Sequence, residues 1–382
     1  MRFSFNALLL AEYSTGMRTL IVGVLSGLRS LVPSEEWVVY IRPKIQTRID
    51  LPRWDGCHYV QVPLAKSLPG RLMTELWFLP SLDRRHAVDV SYNPVAYLPL
   101  NQKIPAVVTF VDFTGSRVPA GYTLGQRLSH GLRYKHALFH ARGIATISET
   151  MNRDLLATYG QQLKAVVAPI LCGVGPEFFQ PPMIPASDLD RRYGLHGNVL
   201  LASGGTNARK DIQTLARSFA ILPGQIVDAM TVVVMGPSRP REVARILELI
   251  PVERRHRFRI IGFVPQRDVL ELTAKARLMA FPTLDEGFGL PVLEAMAAGK
   301  PVICSDLDVL REVGGDCVRY FPVQDYTALA QSIEELWTTD VQCRRMSVTG
   351  QERARLFTWD AVAERLMELL RSVGNDASDG RK

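Results

Sequence analysis

Short apolar runs alternate with stretches of helical periodicity along nearly the whole chain, as in successive strand–helix units that feed a parallel sheet. In the first half the runs at 3–10, 37–41, 58–62, 88–92, 106–111 and 143–147 predict strands, and 166–168 closes the series. Helical spacing predicts helices at 17–31 and 149–159. In the second half 198–203, 231–235, 258–261, 278–281 and 301–305 read as strands, each followed by a turn residue and a helical stretch. Two doubly wound α/β domains are expected.

The length agrees, because 382 residues exceed one ordinary core and suit two. Residues 1–170 and 191–357 are the predicted domains. Gly173, Gly175, Pro176 and the proline-rich 180–185 mark 171–190 as the linker. A helical pattern returns at 358–373, and the polar 374–382 is expected to be a disordered tail. No run of about 18 apolar residues predicts a transmembrane helix. The first apolar run carries Asn6 and meets Glu12, so it reads as a strand rather than a secretory signal, and a cytoplasmic protein is expected. Five cysteines scattered without a two-residue spacing predict neither a zinc site nor a disulfide framework.

Charge divides unevenly. Residues 1–170 hold 19 Lys and Arg against 11 Asp and Glu, a net +8, while the remainder is near neutral at −1. This basic half suits anionic lipids or a diphosphate-linked acceptor. No basic stretch is interleaved with stacking aromatics, so nucleic acid is not an expected partner. Leu124, Leu128 and Leu132 at helical spacing, among Arg127, Arg133, Lys135 and Arg142, suggest an amphipathic element for peripheral contact with an anionic membrane; a solvated helix packed on its own domain is the alternative.

Candidate chemistry concentrates in the second half. The run Glu286-Gly287-Phe288-Gly289-Leu290-Pro291-Val292-Leu293-Glu294 continues to Gly299-Lys300-Pro301. It reads as a loop, a helix starting near Leu290 with Pro291 in its first turn, and a stop at Gly299. A helix N-terminus offers free N–H groups to a diphosphate. Glu286 before it and Glu294 one turn inside it can each accept paired hydroxyls of a sugar or ribose. After strand 198–203 come Gly204, Gly205, Thr206, Asn207, Ala208, Arg209 and Lys210, glycines leading to two cations. Fixed cations there would stabilise a departing diphosphate.

The Glu286–Pro301 run resembles the donor-site signature of retaining glycosyltransferases of the GT-B fold, most closely glycosyltransferase family 4, and bacterial polysaccharide mannosyltransferases within it. The resemblance implies two Rossmann-like domains facing across a cleft and transfer of a hexose, mannose from GDP-mannose first, to a saccharide or polyprenyl-diphosphate-linked acceptor. It implies that Arg209 and Lys210 contact the diphosphate, that Glu286 orients the sugar and that Glu294 binds the ribose. Gly205, Gly287, Phe288, Gly289 and Leu290 complete the donor side. Gly16 stands where relatives keep an N-terminal glycine loop, and in relatives the last helix crosses back onto the first domain.

Some positions depart from the pattern. Val111 stands where many relatives have a histidine beside the donor sugar, while Asp112 and Ser148 fall on the expected acceptor side; Ser148 also suits a helix cap. In the hinge-like Cys172-Gly173-Val174-Gly175, Cys172 and Gly175 replace the usual Asn and Asp. No metal or other cofactor is expected, since the cations can do that work. A GT-B nucleotide-sugar epimerase and a non-catalytic sugar-nucleotide-binding protein are the alternatives. A dehydrogenase and a P-loop nucleotidase lack their glycine motifs.

Overall fold

The computed structural model describes residues 1–10, 16–31, 35–63, 77–111, 124–183 and 186–379, without the side chains of 124–130, 186 and 377–379. These divide into two units, one made of 1–173 with 358–379, the other of 174–357.

The first unit is built on seven strands: β1 (Arg2–Asn6), β2 (Glu36–Ile41), β3 (Cys57–Gln61), β4 (Val90–Asn93), β5 (Ala106–Phe110), β6 (Gly143–Thr146) and β7 (Val166–Pro169). They are parallel, in the order β3-β2-β1-β4-β5-β6-β7. The apolar run that suggested a strand over 3–10 ends as a strand at Asn6, because the Asn6 side chain turns the chain by accepting from the Leu8 N–H at 3.2 Å. Helices Gly16–Leu31 and Trp359–Asp379 pack together in this unit. Gly23 and Gly27 make that packing close, since a Cβ on Gly23 would sit 2.1 Å from the Trp359 ring and one on Gly27 2.2 Å from its carbonyl oxygen. The terminal helix runs on to Asp379, which corrects the disordered tail expected over 374–382 as far as 379; residues 380–382 lie outside the described residues. Polar composition misled there. Val373 is buried and Gly374 lies against Met1 and Val90, so apolar packing holds the helix on the sheet.

The second unit has six parallel strands: β8 (Asn198–Ser203), β9 (Met230–Met235), β10 (Phe258–Gly262), β11 (Ala276–Phe281), β12 (Val302–Ser305) and β13 (Arg319–Phe321), ordered β10-β9-β8-β11-β12-β13. Alternation along β8 sends Leu200 and Ala202 into one buried cluster and Val199 and Leu201 into the other. Both faces are therefore covered by helices, which is why these strands read as unbroken apolar runs. The three-residue β13 was too short to show in the pattern. Helix Ala186–Tyr193 begins inside the stretch expected to be linker, and the change of unit falls at Gly173 and Val174.

Strand order in the second unit reverses between β8 and β11, whose loops diverge to opposite faces at their C-terminal ends. In an open α/β sheet this divergence leaves a crevice that binds ligands.

Candidate functional site

The β8 loop brings its cations to that crevice. Gly205 (φ +61°) and Gly236 (φ +122°) lie backbone to backbone, and a Cβ on Gly205 would stand 2.0 Å from the Pro237 oxygen. The turn therefore needs both glycines. Gly204 has no side chain so that the Lys210 stem can cross it, its hypothetical Cβ falling 2.2 Å from Lys210 Cγ. Asn207 caps the short turn Ala208–Lys210 by accepting from the Arg209 N–H at 3.0 Å. Asp211, left-handed at φ +41°, then starts helix Ile212–Ile221.

The β11 loop supplies the counter-charge. Lys210 Nζ donates to Glu286 Oε1 at 2.5 Å and stands 4.6 Å from the centre of the Phe281 ring at the end of β11. Arg209 Nη1 lies 3.6 Å from Glu286 Oε2 and donates to the Asp285 carbonyl at 3.2 Å. Thr283 Oγ1 lies 2.9 Å from Glu286 Oε1 as a donor, and the Leu284 N–H donates to the Arg209 carbonyl at 2.8 Å. The side chains of Arg209, Lys210 and Glu286 are 17, 13 and 7% exposed, so this is a largely desolvated cluster carrying one net positive charge. Burial alone would raise the Glu286 carboxyl, but Lys210, Arg209 and the hydrogen bonds from Lys210 and Thr283 outweigh it and hold the group below its usual value. Glu286 is thus an anion that fixes two cations. Its Oε2 keeps hydrogen-bonding capacity for a further donor, such as a sugar hydroxyl.

Helix Leu290–Ala297 starts where the sequence pattern put it. Gly289 precedes it at φ +106°, and its missing Cβ would meet Leu310 at 2.6 Å. Gly299 ends it in the left-handed region at φ +66°. Glu294, half-buried on this helix, behaves unlike Glu286. Burial raises its pKa to about 8, the Glu177 carboxylate adds to the rise, and Lys210 only partly opposes it. The structure therefore brings Arg209, Lys210, Glu286 and Glu294 into one site at the ends of β8 and β11.

Sequence reasoning missed Glu177, Thr283 and Gly236. Glu177 sits in the short turn Pro176–Phe179, which packs against helix Leu290–Ala297, and only its charge could have flagged it. Phe288 is 2% exposed, edge-on to Phe357 at 6.0 Å, so its ring packs inside the unit and only its backbone could meet a ligand. Gly287 is buried in the same loop, and Leu290 is half-buried at the helix start.

The remaining candidates belong to the first unit. Gly16 is exposed at the start of helix Gly16–Leu31. Val111 is half-buried just beyond β5, and Asp112 lies outside the described residues. Ser148 is fully buried and caps helix Glu149–Tyr159 by accepting from the Met151 N–H at 3.1 Å. That burial leaves its hydroxyl no surface for an acceptor, which corrects its place among the acceptor contacts.

Residues 192–353 match the family model of the glycosyl transferases group 1. O-antigen chain mannosyltransferase B of Escherichia coli is 27% identical over 273 residues, 71% of each chain. The serotype-specific mannosyltransferase WbdA of Escherichia coli is 28% identical over 182 residues, 47% of this chain but 22% of that protein. Among solved structures, sucrose-phosphate synthase from Thermosynechococcus elongatus superposes with a TM-score of 0.77 at 18% identity, covering 98% of this chain and 99% of the other. WaaG, a glycosyltransferase involved in lipopolysaccharide biosynthesis, gives 0.72 at 18% identity over 96% and 99%. These likenesses carry the fold.

Proposed function

We propose, for a chain that is a group 1 glycosyltransferase of the GT-B fold, that it transfers mannose from GDP-mannose to a saccharide or lipid-linked saccharide acceptor, with retention at the anomeric carbon. The observation that carries this reading is the cluster of Arg209, Lys210 and Glu286 at the strand-order reversal, with Glu294 beside it. The mannose assignment rests on the mannosyltransferases to which the chain is similar.

Each residue has a distinct task. Arg209 and Lys210 stabilise negative charge on the departing diphosphate as the bond from the anomeric carbon to its oxygen breaks. Lys210 shares its charge between Glu286 and that oxygen, so it is positioned before the donor arrives. Glu286 holds the two cations and accepts from a sugar hydroxyl through Oε2. Glu294 accepts the paired ribose hydroxyls. The acceptor oxygen bonds to the anomeric carbon on the face the diphosphate leaves, and its proton passes to the leaving phosphate oxygen. The two cations take the charge-neutralising role, so activity should survive EDTA.

The basic excess of residues 1–170 supports a polyprenyl-diphosphate-linked acceptor met at the inner face of the cytoplasmic membrane, in cell-surface polysaccharide synthesis. No helix among the described residues is long and apolar enough to cross a membrane. Thermal shift of the full chain with GDP, UDP, ADP and dTDP and their sugars tests the donor, because a ligand of the folded state raises Tm. GDP and GDP-mannose should give the largest shifts, and NMR of the product should show the donor's anomeric configuration. A larger shift with another nucleotide would reject the donor, and an inverted product would reject the stereochemistry.

A further inference from the structure

The first unit contains a cavity of about 600 Å3 that the transfer reaction does not use. Its walls include Ala106 and Val166, the first residues of β5 and β7, so it opens at the N-terminal edge of the sheet. Gly16 and the ends of β1 and β4 mark the opposite edge, about 15 Å away by the length of a five-residue strand. The terminal turns of helices Leu124–His140 and Trp359–Asp379 close its sides, through His136, His140, Val373 and Asp376.

Charge in the cavity is one-sided. Lys103, Arg142 and Lys164 line it, and none of the three is ion-paired among the described residues. Asp376 is the one acidic residue of the lining. His136 and His140 stack with their ring centres 4.4 Å apart. Burial and then the neighbouring imidazole hold His136 below its ordinary pKa, a shift that an anion in the cavity would oppose. Leu98, Pro99 and Ile104 add an apolar wall.

We propose that this cavity binds a phosphate-bearing ligand distinct from the sugar donor. Three unpaired cations exceed what a single carboxylate can satisfy, whereas a phosphate or diphosphate carries enough charge and acceptor oxygens for all of them. The volume falls in the range of small-molecule sites, and the apolar wall suits the uncharged part of such a ligand. The same chemistry is presented by a soluble phosphate ester and by a phospholipid headgroup.

Two assays on the full chain test the proposal and separate these sources. Titration calorimetry with inorganic pyrophosphate, in an Arg209→Ala background that weakens the donor edge, should show one binding event. Its affinity should fall about ten-fold or more in Lys103→Ala/Lys164→Ala, which changes two exposed side chains. Sedimentation with phosphatidylcholine vesicles, with and without phosphatidylglycerol, is the second assay. Binding that needs phosphatidylglycerol, is lost in the same double variant and occurs without pyrophosphate heat assigns the phosphate to a headgroup. No binding in either assay, or binding the double variant leaves unchanged, overturns the proposal.

Discussion

Replacing Glu294 with glutamine and following nucleotide-sugar affinity against pH separates a titrating ribose ligand from a merely structural carboxyl. With its pKa raised to about 8, chiefly by burial and then by Glu177, Glu294 is mostly protonated at neutral pH. The ionised fraction is about 3% at pH 6.5 and about 75% at pH 8.5. If the carboxylate is the form that accepts both ribose hydroxyls, apparent affinity scales with that fraction and rises about 20-fold over this range, roughly 2 kcal/mol. A nucleotide sugar is the right probe, because its substituted diphosphate keeps its charge where a free terminal phosphate titrates near pH ~6. Stability of the ligand-free protein should move the other way. Between the usual 4.5 and about 8 the folded protein retains a proton that the unfolded chain releases, so stability falls as pH rises through this window. Glu294→Gln should flatten both dependences. Wild-type affinity independent of pH, or an equal slope in the variant, would refute the assignment.

Lys210→Ala leaves the buried Glu286 with the Thr283 hydrogen bond but only the more distant Arg209 for counter-charge, so urea unfolding should show a loss of about 3 kcal/mol, largely recovered in Lys210→Ala/Glu286→Gln. Arg209→Ala removes a leaving-group contact and little packing; kcat should drop roughly 100-fold while the melting temperature stays near wild type. Gly27→Leu forces a side chain against the Trp359 backbone, where no rotamer gives relief, and should cost about 2–3 kcal/mol in chemical denaturation.

The fold was legible in the sequence because the central strands, buried on both faces, print as apolar runs and the edge strands keep enough of that character; twelve of the thirteen strands lie within a few residues of a run that predicted them. β13 escaped because three residues make no pattern, and the terminal helix outran its apolar spacing because contacts with Met1 and Val90 support its last turns. At the site, the glutamates and the Arg209–Lys210 pair were readable from type and order. Their pairing was not. Nothing in one-dimensional spacing shows that Gly204 clears a path for Lys210, that Thr283 completes the bonding of Glu286, or that Glu177 approaches Glu294. Ser148 illustrates the converse, since its sequence suits both a cap and a ligand contact and only its burial separates them.

The passage of the chain into and out of the second unit has a consequence for synthesis. Entry at Val174 and exit at Phe357 are joined by a hydrogen bond of 3.0 Å, so among the described residues this unit is one continuous segment whose two ends meet. It can mature on the ribosome as soon as it emerges. The first unit must wait, because the glycine-bearing face of helix Gly16–Leu31 is covered only when the segment from Trp359 onward, translated after the whole second unit, has left the tunnel. A nascent protein stalled before that point would carry a finished second unit and a half-built first one, and deletions that remove the segment from Trp359 onward should be felt in residues translated long before it.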